Sequence, residues 1–148
     1  MPYIQFFVEG IPKAQPRPRA AHHKGHTRVF DPGTAEGWKG RIAMEAVGYR
    51  PESPHLGAVS IELTFRMPRP KSHFGTGKNN GKLKDSSPFK HLSKPDIDNL
   101  EKAVLDELTM LGFWRDDSQI TDMASRKRYT KGKSGVDISI DMLDSGDG

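Results

Sequence analysis

Hydrophobic and polar positions alternate most cleanly between Val59 and Met67. Val59, Ile61, Leu63 and Phe65 share one side, while Ser60, Glu62, Thr64 and Arg66 share the other. A period of two predicts a half-buried β-strand. The pattern returns near the end of the chain, where Val136, Ile138, Ile140 and Met142 interleave with Asp137, Ser139 and Asp141, predicting a strand over 136–143. Tyr3 to Glu9 is rich in aromatic and β-branched residues and stops at Gly10 and Pro12, so it reads as a first strand. Ile120 to Tyr129 reads as another. The loop Lys131-Gly132-Lys133-Ser134-Gly135 predicts that these last two strands form a hairpin.

Helical spacing is clearest at Leu100, Val104, Leu108 and Leu111. Asp98 stands where an N-cap belongs, Glu101 three residues later resembles the acidic half of a capping box, and Gly112 offers a stop. A weaker helix is predicted from a Thr34 cap through about Val47, with Trp38, Ile42, Met44 and Ala46 along it and Gly37 and Gly40 interrupting. Before it, Val29-Phe30 reads as a short strand leading into an Asp31-Pro32-Gly33 turn. The segment from Pro68 to Lys94 has no period and is full of Gly, Pro, Ser, Asn and Lys. It is expected to be a long, basic, flexible loop, as is a frayed tail over 144–148. The predicted fold is therefore α+β, in the order β-α-β-loop-α-β-β. It places a mixed sheet and two helices in a single domain spanning 1–148.

Composition narrows the function classes. At 148 residues, 34% hydrophobic and 28% charged, with a formal charge of +4, the chain suits a polyanionic partner. The absence of cysteine excludes disulfides and thiolate zinc sites. No apolar run approaches the roughly 20 residues that span a bilayer, and the first residues lack a signal-peptide pattern. The expectation is a soluble, cytoplasmic protein with no membrane partner.

Against this basic background, carboxylates collect in two places: Lys94-Pro95-Asp96-Ile97-Asp98-Asn99-Leu100-Glu101-Lys102 and Trp114-Arg115-Asp116-Asp117-Ser118-Gln119. Asp96 and Asp98 are two apart, so in extended chain both point to one side. Mg²⁺ takes oxygen ligands at about 2.0–2.1 Å and keeps several waters, so two or three carboxylates plus substrate phosphate suffice to hold it. Lys102 lies one helical turn beyond Asp98, opposite the leucine stripe, where its ammonium can balance charge developing on a phosphate. Each part also has a plainer explanation: Asp98 as a helix cap, Lys102 paired with Asp106, Asp116-Asp117 as a polar turn. Carboxylates gathered inside a basic protein favour metal beside phosphate, and hence a nuclease.

The two blocks match a D-x-D-N-x-x-K pattern followed about twenty residues later by D-D-x-Q-[IVF], with Gly10-Ile11-Pro12 and Arg17-Pro18-Arg19 upstream. In this the chain resembles the RusA family of Holliday-junction resolvases, found in bacteria and in many of their phages and prophages. The resemblance implies a homodimer that cuts four-way DNA junctions by symmetric paired nicks, using Mg²⁺ or Mn²⁺. It implies Asp96, Asp98 and Asp117 as metal-binding catalytic carboxylates, Lys102 as the catalytic lysine, and Asp116 as a further candidate ligand. Arg17, Arg19, Lys24, Arg28, Lys71, Lys94, Arg126 and Arg128 are candidates for DNA phosphate contacts; on a strand, Arg126 and Arg128 share a face and Lys127 takes the other. Phe74 and Phe89 either pin the basic loop or wedge into an opened junction. His22, His23 and His26, without nearby carboxylates, are read as DNA-facing or incidental. The alternatives are a broader flap or fork nuclease, and a non-catalytic junction-binding protein that uses its carboxylates as cap and turn.

One constraint bears on Asp117. A helix from Asp98 to Leu111 carries the chain about 20 Å away from the D-x-D pair, and Gly112 to Asp117 reaches back about 20 Å only if fully extended. The expectation is that Gly112 reverses the chain and Phe113-Trp114 pack along the helix, returning Asp117 in cis. Otherwise Asp117 serves a partner subunit.

Overall fold

A computed structural model describes residues 3–15 and 34–143. The expected strand at Val29-Phe30, the turn at 31–33 and the tail at 144–148 lie outside the described residues, as do His22, His23 and His26. Among the described residues, four strands and two α-helices follow one another as β1 (Tyr3–Glu9), α1 (Ala35–Ala46), β2 (Val59–Pro68), α2 (Ile97–Met110), β3 (Ile120–Thr130) and β4 (Gly135–Met142). They form an α+β unit with one mixed, open sheet in the order β1-β4-β2-β3.

Strand periodicity fixes which face is buried. Phe6 and Val8 of β1, Val59 through Met67 at alternate positions of β2, and Val136, Ile138, Ile140 and Met142 of β4 line one face. Trp38, Ile42 and Ala46 of α1 and Leu100, Ala103, Val104 and Leu108 of α2 cover it. Each large apolar side chain sealed there contributes about 1.5–3 kcal/mol relative to exposure. The opposite face is polar, with Arg66 paired to Asp137 and Arg126 4.0 Å from Glu62. Thr34 caps α1 as expected, accepting from the Gly37 N–H at 3.2 Å. No helix among the described residues is long and apolar enough to cross a membrane.

The expected β3–β4 hairpin is not formed. Strand β4 runs antiparallel to both β1 and β2, while β3 pairs with β2 in parallel, so β2 lies between the two strands joined by the 131–134 turn. Chemistry explains the order. Strand β4 is apolar at every second position and suits the middle of the sheet, whereas Ser125-Arg126-Lys127-Arg128 suits an edge. Helix α2 then supplies the crossover that a parallel β2–β3 pair requires.

At the start of β4, Gly135 has φ 155° and lies so close to β1 that a Cβ would overlap the Val8 carbonyl oxygen and stand 2.6 Å from the Phe7 ring. Gly135→Ala is expected to destabilise the fold by roughly 2–3 kcal/mol. Denaturant unfolding measures this; a change below about 0.5 kcal/mol, the size of an ordinary surface substitution, would contradict the packing described.

The 68–94 segment is folded against the sheet edge. Gly75 N donates to Lys82 O at 2.9 Å and Lys84 N to His73 O at 2.9 Å, closing a small loop on itself. Its return limb lies beside β3: Tyr129 N donates to Phe89 O at 2.9 Å and His91 N to Lys127 O at 3.3 Å. Arg69 donates to Pro88 O at 2.8 Å and stands over the Tyr129 ring at 5.2 Å, against which His73 and His91 also pack. The free edge of β3 is thereby covered.

Candidate active site

Helix α2 presents the first acidic block at its N-terminus. Its N-cap is Asp96, two residues earlier than the expected Asp98, and Glu101 does not complete a capping box. Glu101 instead accepts from the Ser125 hydroxyl on β3. Asp98 sits in the first turn, exposed, accepting from the Asn99 N–H at 2.9 Å. Partial positive charge at a helix N-terminus favours carboxylates here. Lys94 grips both oxygens of Asp96 at 2.9 Å each, so an ammonium stands against the very group proposed to hold a cation. Lys102 is exposed one turn along from Asp98 and, among the described residues, forms no ion pair; the alternative pairing with Asp106 is not made.

Around this end of α2 several segments converge. Gln15 N donates to Asn99 O at 3.0 Å, so the described part of the N-terminal loop ends beside the first turn. Arg17, Arg19, Lys24 and Arg28 follow Gln15 in sequence and lie outside the described residues. Lys127 reaches from β3 to the carbonyls of Ser93 and Pro95 at 2.9 and 2.8 Å. Burial and the nearby Lys127 ammonium hold His91 below the usual histidine range. Phe89 is 64% exposed, with the Arg128 guanidinium 5.6 Å above its ring, while Phe74 is half-buried within the folded loop. Lys71, Lys78, Lys82, Lys84 and Lys90 face solvent along the same segment. Arg126 projects from the other face of the sheet, beside Glu62.

The second acidic block lies elsewhere. Gly112, at φ 86°, does reverse the chain. Phe113 and Trp114 do not run back along α2, however; they are buried beneath its C-terminal end, with Phe113 N donating to Leu108 O at 3.1 Å and Trp114 Nε1 to Thr109 Oγ1 at 2.7 Å. His55 N donates to Phe113 O at 3.1 Å and holds this stretch beside the 54–58 segment. The return journey is made by β3 itself, after Asp117. Since Ser125 meets Glu101 near the start of α2, and Ile120 to Ser125 spans roughly 17 Å at about 3.3 Å per residue, Asp117 stands at the opposite end of the helix from Asp96 and Asp98. The expected in-cis return is therefore not found. Among the described residues no three acidic or histidine side chains come close enough to hold one ion.

The second block has an internal logic of its own. Asp116 caps a single 3₁₀ turn, Asp117–Gln119, and hydrogen bonds from the side chain and then the backbone of Ser118 hold its carboxyl below the usual carboxylate range. Gln119 accepts from the N–H groups of Arg115 and Asp116 and donates to the carbonyls of His55 and Gly57 at 2.7 and 2.9 Å. Asp116 and Gln119 thus build the turn, and Asp117 is left exposed on it.

The donor set of Asp96 and Asp98 fits half of a site for a hard, oxygen-seeking divalent ion, completed by water, phosphate or a carboxylate from a second copy. It does not fit a three-carboxylate cage within one chain. From sequence, Lys127 reads as one of the basic residues available to phosphate, not as a lysine bonded to the Ser93 and Pro95 carbonyls, and the Ser125–Glu101 bond has no motif of its own. The strand parity of β3, which puts Ser125, Lys127 and Tyr129 on one face, was the signal available.

A family model described as endodeoxyribonuclease RusA matches residues 9–141. An uncharacterized protein of Bacillus subtilis strain 168, YqaN, is 35% identical over 131 residues, covering 88% of this chain and 91% of that protein. Crossover junction endodeoxyribonuclease RusA of Escherichia coli K12 is 59% identical over 27 residues, 18% of this chain and only 22% of that enzyme. The protein of the same name from Enterobacteria phage 82 is similar to the same extent. With a match that runs through both acidic blocks and nearly the whole fold, the chain belongs to the RusA family of endodeoxyribonucleases.

Proposed function

We propose that the protein is a divalent-metal-dependent endodeoxyribonuclease that resolves Holliday junctions by paired symmetric nicks, acting as a homodimer. The observation that carries this reading is the exposed end of α2, where Asp96, Asp98 and Lys102 stand together in the family's first motif. Asp96 and Asp98 would hold Mg²⁺, or Mn²⁺ in its place, with Lys94 turned from Asp96 to a DNA phosphate. Such an ion would supply Lewis-acid polarisation of the phosphodiester and a more acidic water for in-line attack, which would leave 5′-phosphate and 3′-hydroxyl ends. Lys102, which forms no ion pair among the described residues, offsets negative charge on the phosphate under attack. Asp117 of the partner subunit supplies the third carboxylate, because its own chain keeps it a helix length away. A twofold axis then gives two such sites, as symmetric nicking of two strands needs.

Phosphate contacts come from the lysines of the 68–94 segment, Lys71 among them, from Lys94 and from Arg128 beside Phe89; Arg17, Arg19, Lys24 and Arg28 are proposed alongside. They position DNA without reading bases and make binding steeply salt-dependent. Arg126 faces away from α2 and contributes least in this arrangement.

The test is a cleavage assay on synthetic four-way junctions, forks and linear duplex, with binding followed in EDTA. Paired nicks in the junction on addition of Mg²⁺, with forks and duplex cut at least ten times more slowly on the order of one lost contact (about 1.4 kcal/mol), is the expected result. Equal cutting of forks indicates the broader branched-DNA nuclease, and junction binding without nicking indicates a non-catalytic binder.

A further inference from the structure

We propose that Lys127 is a positioning residue for the Asp96–Asp98 pair: from β3 it clamps the turn that delivers these carboxylates to the start of α2. The proposal rests on the reading of that pair as the ion-holding site.

The geometry is specific. Lys127 Nζ donates to Ser93 O at 2.9 Å and to Pro95 O at 2.8 Å, and those two carbonyls bracket the Lys94–Pro95 step immediately before Asp96. Both bonds cross more than thirty residues of sequence, so they are tertiary ties, not local ones. Among the described residues Lys127 makes no ion pair. Its charge is spent on peptide dipoles, and charge-assisted bonds of this kind are about twice as strong as neutral ones. Lys127 is itself held: His91 N donates to its carbonyl, and Tyr129 N two residues on donates to Phe89 O. Two residues earlier on the same strand face, Ser125 donates to Glu101. The acidic pair is thus braced from β3 on both sides, at Pro95 before it and at Glu101 after it.

This bracing has a chemical use. Pro95 has no N–H, so the turn can form fewer bonds of its own. Divalent-ion ligands must be held to within about 0.5 Å of their working geometry, and the mutual repulsion of two carboxylates drives them apart unless the chain that carries them is fixed. Lys127 supplies that restraint, and it brings a positive charge to the carbonyl next to Asp96 without occupying the carboxylate, as Lys94 does.

Lys127→Met keeps the aliphatic stem and removes the ammonium; Lys127→Arg keeps donors and charge. In the protein free of DNA and metal, Lys127→Met is expected to speed amide exchange at Leu100, whose N–H donates to Asp96 O at 3.1 Å, by about tenfold, with β1 and β4 unchanged as the control for folding. Mn²⁺ affinity, followed by electron paramagnetic resonance of the free ion, is expected to fall about tenfold in Lys127→Met, the usual cost of losing a supporting group behind a metal ligand, and to recover at least partly in Lys127→Arg. Junction affinity in EDTA stays within about threefold, since one phosphate contact is not lost. Unchanged exchange at Leu100 overturns the clamp, whatever the protein acts on. Faster exchange with unchanged Mn²⁺ affinity overturns the positioning role. A parallel fall in junction affinity makes Lys127 a DNA contact instead, which also overturns it. Failure of the unaltered protein to bind Mn²⁺ removes the proposed function itself, and the exchange measurement still decides whether Lys127 holds the turn.

Discussion

Replacing Asp98 by asparagine is expected to slow junction cleavage in Mg²⁺ about a thousandfold, the scale of several kcal/mol of charge stabilisation lost at the phosphate. Junction binding in EDTA should change little. The two readouts separate because of where Asp98 sits. Its side chain is exposed in the first turn of α2 and accepts one local bond, from the Asn99 N–H. Asparagine has the same shape and can still accept that bond, so the fold loses only the favourable placement of a negative charge at a helix N-terminus, about 0.3–1 kcal/mol. What asparagine lacks is the anionic oxygen that a hard divalent ion requires. Loss of cutting with retained binding and a nearly unchanged unfolding midpoint would therefore identify the carboxylate as chemistry. Normal cutting by the Asp98→Asn protein in Mg²⁺ would reduce it to a helix-terminus charge and remove the site with it.

Which residues face the core was legible in the sequence, because periods of 2 and 3.6 report burial directly. The alternating residues of β2 and β4 and the Leu100-Val104-Leu108 stripe of α2 all lie where that logic puts them. Which strands become neighbours was not legible. A short Gly-containing loop between 130 and 135 looks the same whether its strands pair or straddle a third. The choice was made by the alternating apolar positions of β4 against the basic Ser125–Arg128 stretch of β3, which suits an edge, and by α2 acting as the crossover to a parallel β3. The cap position is hidden in the sequence for a similar reason: Asp96 and Asp98 are equally good cap residues, and Glu101 is spaced as the mate of Asp98 but accepts from Ser125 instead. The 68–94 segment has no period because it forms no long element, yet backbone bonds to β3 and packing around Tyr129 fold it onto the edge. Composition does not encode such long-range ties.

The chemistry divides in the same way. Motif spacing brought Asp96, Asp98 and Lys102 to one exposed helix end. It could not place Asp117, whose position depends on Phe113 and Trp114 being buried under the C-terminal end of α2, where Thr109 meets the indole N–H. Nor could it separate Asp116, which holds the turn, from Asp117, which the turn displays.

A site assembled from two copies of the chain is the central claim, and mixed dimers test it most directly. Asp96→Asn and Asp117→Asn homodimers are each expected to lose cutting to about the extent predicted for Asp98→Asn, since each spoils both sites. In a dimer of one Asp96→Asn chain and one Asp117→Asn chain, a shared arrangement places both substitutions in one site and leaves the other intact. Such mixed dimers, isolated by two different affinity tags, are predicted to nick one strand of a four-way junction at close to the unaltered per-site rate while failing to make the paired second nick. If each site were built within a single chain, both would be damaged, and mixed dimers as inactive as either homodimer would contradict the account.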